Sequence, residues 1–199
     1  MSEEKFFRME DIYSSFAHAI ELKVEKKIVE CPKCGAIESI RLEPIKVYFE
    51  GKKQGDFYYV TKGSIISSRL QKILHEENVT GFTLGSINVE GWYDSNGKIL
   101  PIAYDDLKEL KVTGKCGYLR HDNGELLDKC DQCDNFDYDK AEDEVEGLSV
   151  NLDEWDGSDM FQFKNWSGVI IVTEKVKEII ENNKLKSIKF TDISEITFD

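Results

Sequence analysis

Two cysteine pairs constrain this chain more than any other feature: Cys31-Pro32-Lys33-Cys34-Gly35 near one end, and Cys130-Asp131-Gln132-Cys133 far downstream. Two thiols separated by two residues can turn toward one ion, because the tight turn between them brings both sulfurs to the edge of a tetrahedron. Gly35 permits the positive φ that folds the backbone back and aims its N–H groups at the thiolates. Four thiolates from two such knuckles make a structural zinc site, closed to water and chemically inert. Residues 35 to 129 lie between the pairs, far beyond the roughly 15–20 residues of a compact zinc ribbon. If Cys31, Cys34, Cys130 and Cys133 share one Zn2+, the metal staples the N-terminal region to a point two-thirds along the chain. The site then organises the fold.

Other chemistries fit the pairs less well. A lone CxxC also serves as a redox dithiol, but neither pair sits in a strand-to-helix setting of the thioredoxin kind. Two disulfides suit a secreted protein, whereas this sequence opens Met-Ser-Glu-Glu-Lys, with no basic and apolar leader. The expected home is a reducing cytoplasm, where thiols stay free for metal. Cys116, between Lys115 and Gly117, has no knuckle partner and reads as an ordinary free thiol, with substitution for a ligand as the alternative. His121, just before Asp122, is the other candidate substitute.

A chain of 199 residues buries a real core, as one domain over 1–199 with internal halves near 1–115 and 116–199. No apolar run approaches the roughly 20 residues that span a bilayer. The net charge of −13, from 39 acidic and 26 basic side chains, repels phosphate backbones and anionic membranes and draws in basic partners. That charge argues against nucleic acid and membrane as partners.

The spacing predicts an α+β fold. Lys5 to Met9 reads as a short strand that Glu10-Asp11 breaks; residues 12–30 start with helical spacing and turn strand-like, with Lys26 to Glu30 leading into the first knuckle. Leu42 to Glu50 and Asp56 to Val60 alternate and read as a hairpin around Gly51 to Gly55. Residues 65–84 superpose on 171–190 at a constant offset of 106: Ile66 on Val172, Ser67 on Thr173, Leu70 on Val176, Leu74 on Ile180, Phe82 on Ile188. Each copy reads as strand, hydroxyl cap, amphipathic helix, turn, strand. Two related strand-helix-strand modules with β-hairpins, joined by the four-cysteine zinc site, are therefore expected. Asp94-Ser95-Asn96-Gly97 marks a further hairpin turn, and 105–115 reads as charged with scattered apolar residues.

Between Asp131 and Glu146 eight acidic residues face only Lys140, with Phe136 and Tyr138 interleaved. A second cluster gathers Asp153, Glu154, Asp156 and Asp159 around Trp155. Such a run is either a solvated loop or a docking surface, with carboxylates for steering and exposed aromatics as anchors. Asp134, Asp137, Asp139, Asp143, Glu144, Glu146, Asp153, Trp155 and Asp159 are the candidate contacts. No phosphate-cradling glycine loop, HExxH, GxSxG or deaminase signature is present, and four thiolates leave a metal no open position. The expectation is a protein that is not an enzyme.

Taken in order, these features resemble the double-CXXCG family of immunity proteins from bacterial polymorphic-toxin systems. The shared features are the opening Lys5-Phe6-Phe7-Arg8-Met9, the CPxCG knuckle, a second knuckle about a hundred residues on, and the tract Trp155-Asp156-Gly157-Ser158-Asp159-Met160-Phe161. The close, Ile170 to Phe190, is similar to the family's strand-helix-strand. Asp134 stands where the family has Gly after the second knuckle. The resemblance implies a cytoplasmic protein that binds and neutralises a cognate toxin domain, a basic nuclease being one candidate. The rival is a zinc-ribbon nucleic-acid-binding or regulatory protein, which calls for a basic, aromatic patch where this sequence has scattered lysines such as Lys184, Lys186 and Lys189.

Overall fold

Helices α1 (Ser68–Glu76) and α2 (Glu174–Asn182) fall where the apolar spacing places them, each one burying a stripe: Leu70 and Leu74 on the first, Val176 and Ile180 on the second. The Ser67 hydroxyl accepts the Leu70 N–H at 3.1 Å and caps α1. Thr173 occupies the same position before α2 without a side-chain cap bond. The computed structural model describes residues 4–12, 15–61, 63–103, 106–136 and 145–198, and there it is mixed α+β, mostly strand.

The strands of the first half are β1 (Phe6–Asp11), β2 (His18–Glu21), β3 (Lys26–Glu30), β4 (Ile37–Arg41), β5 (Ile45–Glu50), β6 (Phe57–Val60), β7 (Gly63–Ile66) and β8 (Phe82–Gly85). They continue as β9 (Ile87–Tyr93), β10 (Lys108–Val112), β11 (Gly114–Cys116), β12 (Arg120–His121), β13 (Leu148–Ser149), β14 (Met160–Phe163), β15 (Ile170–Thr173) and β16 (Ile188–Asp192). Two sheets carry the body, ordered β6-β7-β10-β8 and β11-β14-β15-β1-β16. In the first, β10 runs antiparallel between β7 and β8; in the second, β1 runs antiparallel between β15 and β16. The registers coincide. Lys108 faces Ile66 as Phe7 faces Val172, and Glu109 faces Gly85 as Arg8 faces Thr191. Beyond them Phe57 faces Ile66 as Met160 faces Val172. The turns after the helices match too, with φ of 51° at both Asn78 and Lys184.

The two sheets and both helices share one core that includes Phe7, Met9, Phe57, Ile66, Leu110, Met160 and Val172. The far face of the first sheet packs Tyr58, Val60 and Ile65 against Val47, Phe49 and Trp92 of the β2-β5-β9 sheet. The far face of the second packs Phe6, Phe161 and Ile171 against Leu119, Leu127, Phe136 and Val145, the segment that carries the second knuckle. Burial of each such aliphatic or aromatic side chain contributes about 1.5–3 kcal/mol.

Several expectations change. The expected hairpin of 42–50 with 56–60 does not form: β5 pairs β2 and β9, whereas β6 pairs β7. Phe57, Tyr58 and Val60 are buried on both faces, so β6 belongs to an inner sheet; alternation identifies a strand but not its neighbour. The charged stretch 105–115 contains β10, the central strand of a sheet. Its Glu109 is buried because Arg41 and Lys111 hold its carboxylate. Strand β1 runs on through Glu10 and Asp11, the latter buried and accepting the Tyr59 N–H at 3.2 Å. Its place between β15 and β16 also means that the sequence halves interleave.

Candidate metal centre

Each knuckle is the loop of a hairpin. Strands β3 and β4 pair from Lys26↔Arg41 to Glu30↔Ile37 and leave residues 31–36 as the loop; a bridge from Lys129 to Phe136 leaves 130–135 as the other. The internal bonds are the same in both. Cys31 N–H donates to Ala36 O at 2.9 Å and Gly35 N–H to Cys31 O at 2.9 Å; Cys130 N–H donates to Asn135 O at 2.8 Å and Asp134 N–H to Cys130 O at 2.9 Å. The last bond requires left-handed backbone, which Gly35 supplies at φ 73° and Asp134 at φ 60°. Aspartate tolerates that region better than most residues, so the missing glycine leaves the second turn intact.

The four sulfurs converge. Cys31 Sγ lies 4.0 Å from Cys130 Sγ and Cys34 Sγ 3.5 Å from Cys133 Sγ, with all four ligand atoms within 4.8 Å of one another. Zinc–sulfur bonds of about 2.3 Å give a tetrahedron with edges of about 3.8 Å, close to these separations. No disulfide joins any of the five cysteines. Together, then, the four residues could hold a metal ion.

The electrostatics favour thiolates at the leading position of each knuckle. The N–H groups of Cys34 and Lys33 bring the Cys31 thiol down to about 7, and those of Cys133 and Gln132 lower Cys130. At Cys133 the Asn135 N–H lowers, but burial and the crowded sulfurs outweigh it and push the thiol up to about 12. A cation that replaces those protons relieves the crowding. Lys33 Nζ reaches both carboxylate oxygens of Asp131, at 2.6 and 2.7 Å, and so bridges the knuckles across the mouth of the site. Cys116 stands apart, buried beside Leu119 and Phe161, where burial raises its thiol to about 11. Neither it nor His121 joins the sulfur cluster.

The acidic candidates divide. Asp137, Asp139, Asp143 and Glu144 lie outside the described residues, as do Tyr138 and Lys140; the run is bounded by the buried residues Phe136 and Val145. Glu146 and Asp153 are exposed. Asp134 is engaged internally: Lys129 and the Tyr118 hydroxyl, the latter at 2.7 Å, bond its carboxylate and hold it at about 2. Asp159 accepts the Thr80 N–H at 2.8 Å and hydroxyl at 2.9 Å, and pairs Lys175 at 3.1 Å. Asp56 does the same on the other sheet, accepting the Lys186 N–H at 2.7 Å with Arg69 at 3.6 Å. Both carboxylates therefore clasp the sheets. Trp155 is half-buried, edge-on to Phe6 at 5.1 Å, with its indole N–H on Ser158 O at 3.1 Å. Phe136 is core. These aromatics pack inward, whereas the acidic setting pointed to exposed anchors.

Two charged clusters on the knuckle hairpins have no motif in the sequence, one beside the sulfurs and one at the base of the first ribbon. Lys129 and Lys164 stack over the Tyr118 ring, at 4.1 and 4.5 Å, and share Asp134. Arg41, at the base of the first hairpin, pairs the buried Glu109. Lys129 directly precedes Cys130, whereas Arg41 lies seven residues after Cys34 and nothing local signals its pairing with Glu109. In comparisons with known proteins, no family model matches the chain and no curated protein matches it.

Proposed function

We propose that the chain acts by stoichiometric binding rather than catalysis, as a cytoplasmic immunity protein that neutralises a basic toxin domain. The observation that carries the non-catalytic part is the closed ligand set: four converging thiols leave a bound ion no position for substrate or water. Zinc is the proposed ion, since soft thiolates in tetrahedral array favour it; bound there, it supplies a cross-link between two hairpins. The matching registers around β10 and β1 support reading 65–84 and 171–190 as related modules.

The toxin assignment rests on the family resemblance and on the charge of −13, which suits a cleft built for phosphate. Glu146 and Asp153, with Asp137, Asp139, Asp143 and Glu144, form the proposed contact. Asp134, Trp155 and Asp159 act as its internal supports. No membrane-spanning helix is present among the described residues.

Affinity purification from the native organism, with partners read by mass spectrometry, tests this. An equimolar complex with the C-terminal domain of one large protein is expected. Recovery of nucleic acid instead, with a gel shift at low salt, overturns it in favour of the nucleic-acid reading. Within such a complex, reversing the charge of Asp137, Asp139, Asp143 and Glu144 together weakens binding and flattens its salt dependence. Unchanged affinity removes that surface from the interface.

A further inference from the structure

Strand β3 is a free edge. Among the described residues it pairs only with β4, and Lys27, Ile28, Val29 and Glu30 are all exposed, Ile28 by 58%. The hydrogen bonds at the two ends of the ribbon fix which groups point outward. Leu42 N–H donates to Glu25 O and Cys31 N–H to Ala36 O, so the odd-numbered residues of this strand bond inward, as the alternation of an antiparallel ladder requires. The N–H and C=O groups of Lys26, Ile28 and Glu30 therefore face solvent. An open edge carrying apolar side chains is a template for another strand.

The geometry points to a second copy of this chain as the occupant, paired antiparallel through β3 and centred on Ile28. In that register Ile28 faces Ile28 of the other copy, and each Lys26 faces a Glu30. Every outward backbone group of the three residues gains a partner. The two Lys26–Glu30 pairs make the edge self-complementary in charge. Lys26 Nζ already bonds Glu21 at 3.0 Å, and an ammonium has donors left for Glu30. Moving the strand by one residue turns inward-bonding residues to the joint, and moving it by two loses both Lys26–Glu30 pairs, so one register is selected. The joint is a four-stranded sheet with a knuckle at each end. Because it is short, the dimer is weak and reversible.

Sedimentation velocity of the metal-loaded chain from about 10 µM to about 1 mM tests the pairing. A reversible monomer–dimer equilibrium is expected. Glu30→Lys, which lies wholly on the exposed edge, puts like charges opposite each other and weakens the dimer by about tenfold. Lys26→Glu does the same from the other side, and Ile28→Pro, which removes the central outward N–H, abolishes pairing. An equimolar mixture of the Glu30→Lys and Lys26→Glu chains restores both charge pairs and gives a heterodimer. A monomer at every concentration overturns the proposal and makes Lys26 and Lys27 guards of the edge. A dimer indifferent to Glu30→Lys and Ile28→Pro, or a mixture of folded variants that stays monomeric, overturns it as well.

Discussion

If the four thiols hold the proposed zinc, stripping it, or replacing Cys31 and Cys130 together by serine, cuts a staple whose worth the structure sets. The two residues are 99 apart in sequence, and a cross-link closing a loop of that length stabilises by about 4 to 5 kcal/mol through the entropy of the unfolded chain. Domains are stable by about 5–15 kcal/mol, so the loss is a large fraction of the whole. For a chain of this length it lowers Tm by about 10–20 °C. The loss is also local. Ile28, Val29, Ile37 and Ile40 of the β3–β4 hairpin are exposed, so no core holds the ribbon. The knuckle at its tip and the Arg41–Glu109 pair at its base are its chief anchors. Thermal unfolding of loaded and chelator-stripped protein, with amide exchange across 26–41, reads both effects. Accelerated exchange in the ribbon before the sheets open is the expected pattern. A Tm within about 2 °C of the loaded protein, with unchanged exchange in the ribbon, means that the cluster does not staple the chain.

Gly35→Ala costs about 1–2 kcal/mol from its positive φ alone, since an added Cβ meets nothing within 4 Å; denaturant unfolding measures it, and a neutral result denies the left-handed turn. Arg41→Met leaves Glu109 buried with Lys111 as its remaining pair and lowers stability by about 3 kcal/mol, read from the urea midpoint. Asp134, held at about 2 against an ordinary 3.8, contributes stability above about pH 4 that is lost as the pH falls toward 2; Asp134→Asn removes that component from the acid limb of a pH–stability profile. Cys116 works in the opposite direction. Its pKa is raised by burial from 9.0 to about 11, so its contribution is full below pH 9 and is lost as the pH rises toward 11, and Cys116→Ala flattens that limb.

The knuckles, the two helices and strand β3 were legible because each depends on local spacing: two residues between thiols, three or four between buried apolar positions, a short apolar run before a turn. Partnership was not. Nothing local tells β6 to pair β7 rather than β5, or sends β1 into the sheet of β15 and β16 across most of the chain. Strand β10 was hidden because its buried Glu109 is charged, and one of the two cations that make that burial tolerable, Arg41, is distant in sequence. The same limit affected the acidic tracts. Asp134 and Asp159 look like surface carboxylates until the structure brings Lys129, Tyr118, Thr80 and Lys175 to them. Trp155 and Phe136 look like anchors until Phe6 and Phe198 cover them.

X-ray absorption at the zinc edge, on protein purified without added metal, shows whether the four thiols hold a zinc ion. One zinc per chain is expected, with a single shell of four sulfurs at about 2.3 Å that is lost in the Cys31→Ser/Cys130→Ser chain. No bound zinc, a shell containing nitrogen or oxygen, or a shell that survives the double substitution contradicts it.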